Sequence, residues 1–400
     1  MQNTPLRFYS LDVLRGLAAL CVVFWHWQHF FYTGTRAGIV TAKELPLYKI
    51  FFLFYHEGYL AVELFFCLSG FVFYWLYAKA IAERTVSARE FFVLRFSRLY
   101  PLHFATLAAV VIGQLIFYAA FKTYYVYTFN DVFHLLLNVF FVSSWGFERG
   151  YSFNAPIWSV SVEVFAYALF FCFCRLVPVR LISALAISVA GFALGFTFYA
   201  PIGRGIGSFF LGGCACLCYE WVVGKGYTRQ AAWSLISVTV LFWLAAIVTI
   251  SDTWGVHSAA LEYLPLISPI VSLVAVVGKP FAKWPQATLF PMSVLALALL
   301  ETSRGSLGKR LAFLGDISYS SYLFHFPLQL VLMTLVLWLS ISQTVFSSPA
   351  MLVAFFVLLL LVSFASYNFY ELPAQRFLRK KFLSDRPRER IVKDVPQMVS

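Results

Sequence analysis

Three ionisable side chains, Asp12, Arg15 and His26, interrupt one apolar stretch running from Leu11 to His29. On a helix of about 3.6 residues per turn, Arg15 and His26 stand about three turns apart on nearly one face, and Asp12 is one turn before Arg15. Such a column is costly on a lipid-bathed helix unless it faces a protein interior or a wet cavity. Histidine is the side chain suited to moving a proton near neutral pH. At about 22 Å along the helix from Leu11, the His26 imidazole serves either proton transfer or a hydrogen-bonded packing role. Arg15, beside Asp12, suits either an anionic ligand or a structural ion pair. Both lie roughly 16–21 Å from His26, too far to orient its ring. His29, one turn beyond, reads as an interfacial residue.

The elements that must hold these groups are membrane-spanning helices. Hydrophobic residues make up 61% of the chain and charged residues 12%, against roughly a quarter charged in soluble domains, and the mean hydropathy is +0.79. Apolar runs of about 20 residues, the length that crosses a hydrocarbon core, recur at 8–31, 57–78, 99–120, 156–175, 180–199, 203–223, 231–251, 286–302, 317–340 and 349–370. The pattern predicts an all-α integral membrane protein of about ten transmembrane helices. The membrane domain covers 1–381, and 382–400 form a short charged tail expected to be mobile.

The basic clusters Lys79–Arg98, Arg175/Arg180, Lys225/Arg229, Arg304–Arg310 and Arg376–Lys381 all fall on one side if both termini are cytoplasmic. A net charge of +12 is therefore an orientation signal, with no nucleic-acid partner implied. The segment 263–277 is apolar but short and broken by Pro265 and Pro269, so it reads as interfacial or re-entrant. Asp12 and Arg15 break the first apolar run, and no small-residue cleavage site follows; it reads as a retained helix, not a signal peptide. All seven cysteines lie in apolar segments, and Cys214-Cys216-Cys218 point in different directions on a helix. Neither a disulfide framework nor a metal site is expected. No internal repeat is found, which counts against a transporter of repeated halves.

Further polar residues lie at spacings that could do chemistry. Arg95 and Arg98, one turn apart just before Tyr100-Pro101, present two forked guanidiniums that fit phosphate, or else anchor the cytoplasmic side. Glu63 and Gly70 share a face of the second span, with Ser69 beside them; helix packing through Ser69-Gly70 is the alternative to a substrate contact. Ser159 and Glu163 share a face at the entry of the fourth span, where a carboxylate is either neutral or paired. Ser318, Ser321, Tyr322 and His325 line one side of the ninth span, His325 serving either a pocket or a helix-bridging hydrogen bond.

Read in order, Leu11-Asp12-Val13-Leu14-Arg15-Gly16 with His26, Leu64–Phe71, Arg95-Phe96-Ser97-Arg98-Leu99-Tyr100-Pro101, Trp158–Glu163, Ile317–Pro327 and Glu371-Leu372-Pro373 resemble the motifs of the membrane acyltransferase-3 family. Each piece alone is weak. Together they cover nearly all of 8–373. The family usually has aspartate where Glu63 stands.

The resemblance implies an O-acyltransferase of the cytoplasmic (inner) membrane. Its donor would be acetyl-CoA or another acyl-CoA, and its acceptor a carbohydrate or other hydroxylated compound. His26 would then be the general base, with Glu163 and His325 as further catalytic candidates. Arg15, Arg95, Arg98, Asp12 and Tyr100 would meet the donor. Glu63, Ser69, Ser159 and Tyr322 would meet the acceptor. Direct transfer is expected over an acyl-enzyme relay, because Cys21 and Cys67 match no motif. A multi-span transporter or flippase for an acylated or anionic substrate is the competing function.

Overall fold

The computed structural model describes residues 5–38, 41, 44–253 and 281–383, together with positions 274, 276, 278 and 279. The segment 263–277 and the tail 384–400 therefore lie wholly or largely outside the described residues. Regular structure among them is helical, apart from a single Thr33–Arg36 bridge.

Helix α1 runs Tyr9–His26 and tightens into a 3₁₀ turn, Trp27–Phe31. The short α2, Tyr48–Glu57, leads to α3, Ala61–Phe73, which continues through a π turn at Tyr74–Ala78. There follow α4 (Ala88–Phe121), α5 (Val132–Val139), α6 (Trp158–Leu176), α7 (Leu181–Thr197), α8 (Ala200–Gly224) and α9 (Thr228–Thr253). The chain closes with α10 (Leu289–Arg304), α11 (Ser318–Trp338), α12 (Pro349–Ser366) and α13 (Leu372–Phe382). Each of the ten expected segments is helical. Among the described residues, eight helical stretches are long and apolar enough to cross a membrane, whereas α7 and α10, with 17 and 16 residues, are shorter.

Two starts explain how the site residues are presented. Helix α4 begins well before its apolar run because Ser87 and Glu90 form a capping box, each side chain accepting from the other's backbone N–H. Arg95 and Arg98 are thereby carried on a rigid helix instead of a loop. Helix α1 has no cap of its own at Phe8. Glu301 of α10 supplies it, accepting from Tyr9 N at 2.9 Å, Ser10 N at 2.8 Å and Ser10 Oγ at 2.6 Å. A carboxylate at a helix N-terminus satisfies orphan donors and complements the helix dipole. Glu301→Ala strands these buried donors at about 1–3 kcal/mol each. A thermal midpoint several degrees lower in detergent is expected, and an unchanged midpoint would show that the cap contributes nothing.

Packing is in two apolar clusters. One joins α3, α6 and α8 through Phe66, Phe71, Phe170, Phe209 and Phe210; the other surrounds Trp27, Phe30, Phe326 and Phe355. Helix α1 passes from the first cluster (Leu11, Ala18, Val22) into the second (Val23, Trp27), and α11 does the same between Leu323 and Phe326. Helices α3 and α8 meet backbone to backbone. A side chain at Gly70 would strike the Phe209 carbonyl, and one at Gly212 the Cys67 carbonyl, so only glycine fits either position. All seven cysteines are free.

Candidate active site

One cavity gathers polar residues from five helices: Asp12 and Arg15 of α1, Ser69 of α3, Arg95 and Arg98 of α4, Ser159, Glu163 and Tyr167 of α6, and Ser318, Tyr319 and Tyr322 of α11. At one edge Asp12 holds Arg15 at 3.1 Å and Arg7 at 2.6 Å, while Arg15 also donates to the Gly315 carbonyl at 2.9 Å. Arg7 bridges on to Asp316 at 2.5 Å. These charges are paired, which makes Asp12 a positioning group for Arg15.

Arg95 is different. It is buried and stacked on the Phe73 and Tyr77 rings at 4.8 and 5.0 Å, with one N–H donated to the Tyr77 hydroxyl at 2.6 Å and its Nε without a partner. Arg98 makes no hydrogen bond or ion pair with any described residue, although it lines the cavity. A cation held rigidly with donors left over is a prepared anion site.

On the cavity wall, Glu163 accepts from the Ser69 hydroxyl and the Tyr167 hydroxyl, both at 2.5 Å. Its partners are hydroxyls, not an imidazole, so Glu163 does not orient His26. Tyr322 also lines the cavity. Its hydroxyl donates to the Pro156 carbonyl, which spends its one hydrogen, so the 2.7 Å contact with Ser159 is donated by Ser159.

One turn further along α11, His325 is fully buried, and its ring lies 4.8 Å from that of His26. His325 Nδ1 faces the Tyr322 carbonyl at 2.6 Å, and His26 Nδ1 faces the Val22 carbonyl at 2.9 Å. A carbonyl only accepts, so both Nδ1 atoms carry hydrogen, and in each neutral ring the lone pair is on Nε2. His325 Nε2 has no partner. Two adjacent imidazoles with free acceptor nitrogens can take a proton from a hydroxyl placed between them.

Several sequence expectations are corrected by this packing. His29 is not at an interface. It is buried, its ring 4.9 Å from His26, with Nδ1 donating at 3.2 Å to the Gln329 side-chain oxygen. Gln329 in turn donates to the His26 carbonyl at 2.9 Å. Glu63 does not line the cavity; it is fully buried and ion-paired with Arg204 of α8. Tyr100 also lies outside the cavity, stacked between Phe96 and Phe104 at 4.5 and 6.0 Å. Ser321 bonds back to the Ser318 carbonyl at 3.1 Å.

Sequence reasoning missed Tyr77, Tyr167, Tyr319 and Gln329. Of these Gln329 and Tyr167 carried a signal, each standing one turn past a residue already singled out, His325 and Glu163, on the same face. Glu63→Gln removes the charge facing Arg204, whose side chain is 36% exposed, so the cost is well below the about 3–5 kcal/mol of a fully buried pair. We expect a lower thermal midpoint with an unchanged donor KM; a raised KM would return Glu63 to the cavity.

The comparisons with known proteins agree with the motif order. The model of the acyltransferase domain family matches residues 8–368. Over 107 residues the chain is 38% identical to protein 2 in the picA locus of Rhizobium radiobacter, covering 27% of this chain and 46% of that one. Over 186 residues it is 33% identical to the acyltransferase MdmB of Streptomyces mycarofaciens, covering 45% and 43% respectively. The chain thus spans less than half the length of either curated relative. No solved structure matches. With the family match spanning nearly the whole chain and its apolar helices long enough to cross a bilayer, the chain is a multi-pass membrane protein that belongs to the acyltransferase domain family.

Proposed function

We propose that the protein transfers an acyl group, acetyl in the first instance, from acyl-CoA to a hydroxyl of a carbohydrate or lipid-linked glycan, with His26 as general base. The observation that carries this reading is a juxtaposition. Arg95, Arg98 and Tyr322 line one cavity, and just outside its lining the His325 ring, bonded to the Tyr322 carbonyl, lies 4.8 Å from that of His26. The arginines grip the donor's phosphates. Its flexible arm runs past Ser69, Glu163 and Ser159, which offer polar partners for amide groups. The acceptor hydroxyl meets the thioester beside the imidazoles.

There His26 Nε2 takes the hydroxyl proton as the oxygen attacks the thioester carbon, a C–O bond forms, the C–S bond breaks, and the proton passes to the departing thiolate. Neither Cys21 nor Cys67 lines the cavity, which favours direct transfer in one ternary complex. The basic loops favour an orientation in the cytoplasmic membrane with both termini and the arginine edge cytoplasmic.

The test is thiol release from acetyl-CoA by membranes containing the protein, with and without envelope glycans as acceptor. Acceptor-dependent thiol release is expected. No release above background in either case would favour a transporter and sink the reading.

A further inference from the structure

Resting on the acyl-CoA reading above, we propose that Arg379 of α13 is a third phosphate-binding arginine, which with Arg95 and Arg98 forms the cradle for the nucleotide end of the donor. Helix α13 carries four basic residues in its last turns, Arg376, Arg379, Lys380 and Lys381. Membrane anchoring explains three of them, because Arg376, Lys380 and Lys381 are exposed. Arg379 is turned inward instead, its Nε donating at 3.3 Å to the Ser97 hydroxyl.

Ser97 is itself buried and sits between Arg95 and Arg98 in sequence, on the same helical turn. The contact therefore sets a third guanidinium against the turn that bears the other two. One turn before Arg379, Gln375 lines a small second cavity with Arg98, Glu371 and Asp316, so α13 reaches the arginine edge along its inner face. Coenzyme A carries three phosphates, more than two arginines can meet with paired N–H donors.

The experiment compares two donors in purified full-length protein in phosphate-free detergent, so that lipid headgroups do not compete. One donor is acetyl-CoA. The other is S-acetyl-N-acetylcysteamine, a thioester without phosphates. Arg379→Ala is expected to raise the KM for acetyl-CoA about tenfold, with kcat little changed and the short thioester unaffected; Arg379→Lys should recover part of the loss. Dephospho-CoA thioester then separates the two phosphate positions: an Arg379→Ala effect that vanishes with this donor assigns Arg379 to the 3′-phosphate, and one that persists assigns it to the diphosphate. An equal loss with both acetyl-CoA and the short thioester would mean that Arg379 only supports the fold, and no change with acetyl-CoA would likewise overturn the proposal. If the unaltered protein uses neither acetyl-CoA nor the short thioester, the acyl-CoA reading itself falls and takes this proposal with it.

Discussion

Replacing His26 by alanine is expected to lower acyl transfer by about 10²- to 10⁴-fold, the contribution typical of a general base, with protein level unchanged. The ring stands against two neighbouring imidazoles, with its Nδ1 on one backbone carbonyl. The readout in cells is a mass comparison of surface glycans, which should lose one acyl increment. An identical glycan profile in His26→Ala cells would remove His26 as the base. His325→Ala separates the two imidazoles further. If His325 only braces His26, the variant keeps the pH profile of transfer and loses rate; a shifted profile would mean that the two rings titrate as a pair.

The second large effect is at the arginine edge. Arg98→Ala is expected to raise the KM for acetyl-CoA about 10- to 100-fold, since hydrogen bonds to charged groups contribute about 1.5–3 kcal/mol. Arg98 forms no internal hydrogen bond or ion pair among the described residues, so the change should leave thermal stability nearly untouched. Arg95→Ala combines two losses. It removes a donor ligand and also the cation stacked on Phe73 and Tyr77, so a lower thermal midpoint accompanies the raised KM. Equal KM values for wild type and Arg98→Ala would dismiss the phosphate role for this edge.

How much of this was legible beforehand differs residue by residue. The apolar period marked ten segments that are helical, and the ionisable residues inside them stood out because lipid makes such residues expensive. Arg95, Arg98, Ser159 and Tyr322 were identified from type and spacing, and they share one cavity. Glu63 and Tyr100 had the same kind of support and lie elsewhere. A glutamate at a given depth on α3 meets either a cavity or an arginine of a neighbouring helix, according to how α3 and α8 are rotated. That rotation is settled by the glycine contacts at Gly70 and Gly212.

Local periodicity acts through one helix at a time, so the sequence by itself determined which segments are helical, which of their faces carry polar groups and which families of motif they match. It left open which faces meet. Only the tertiary structure decided that His325 lies against His26, that His29 is drawn in beside them by Gln329, that Glu301 caps a helix begun nearly 300 residues earlier, and that Arg379 turns onto the arginine helix. Those pairings come from close packing between helices distant in sequence, and a pattern confined to one helix carries no trace of its neighbour.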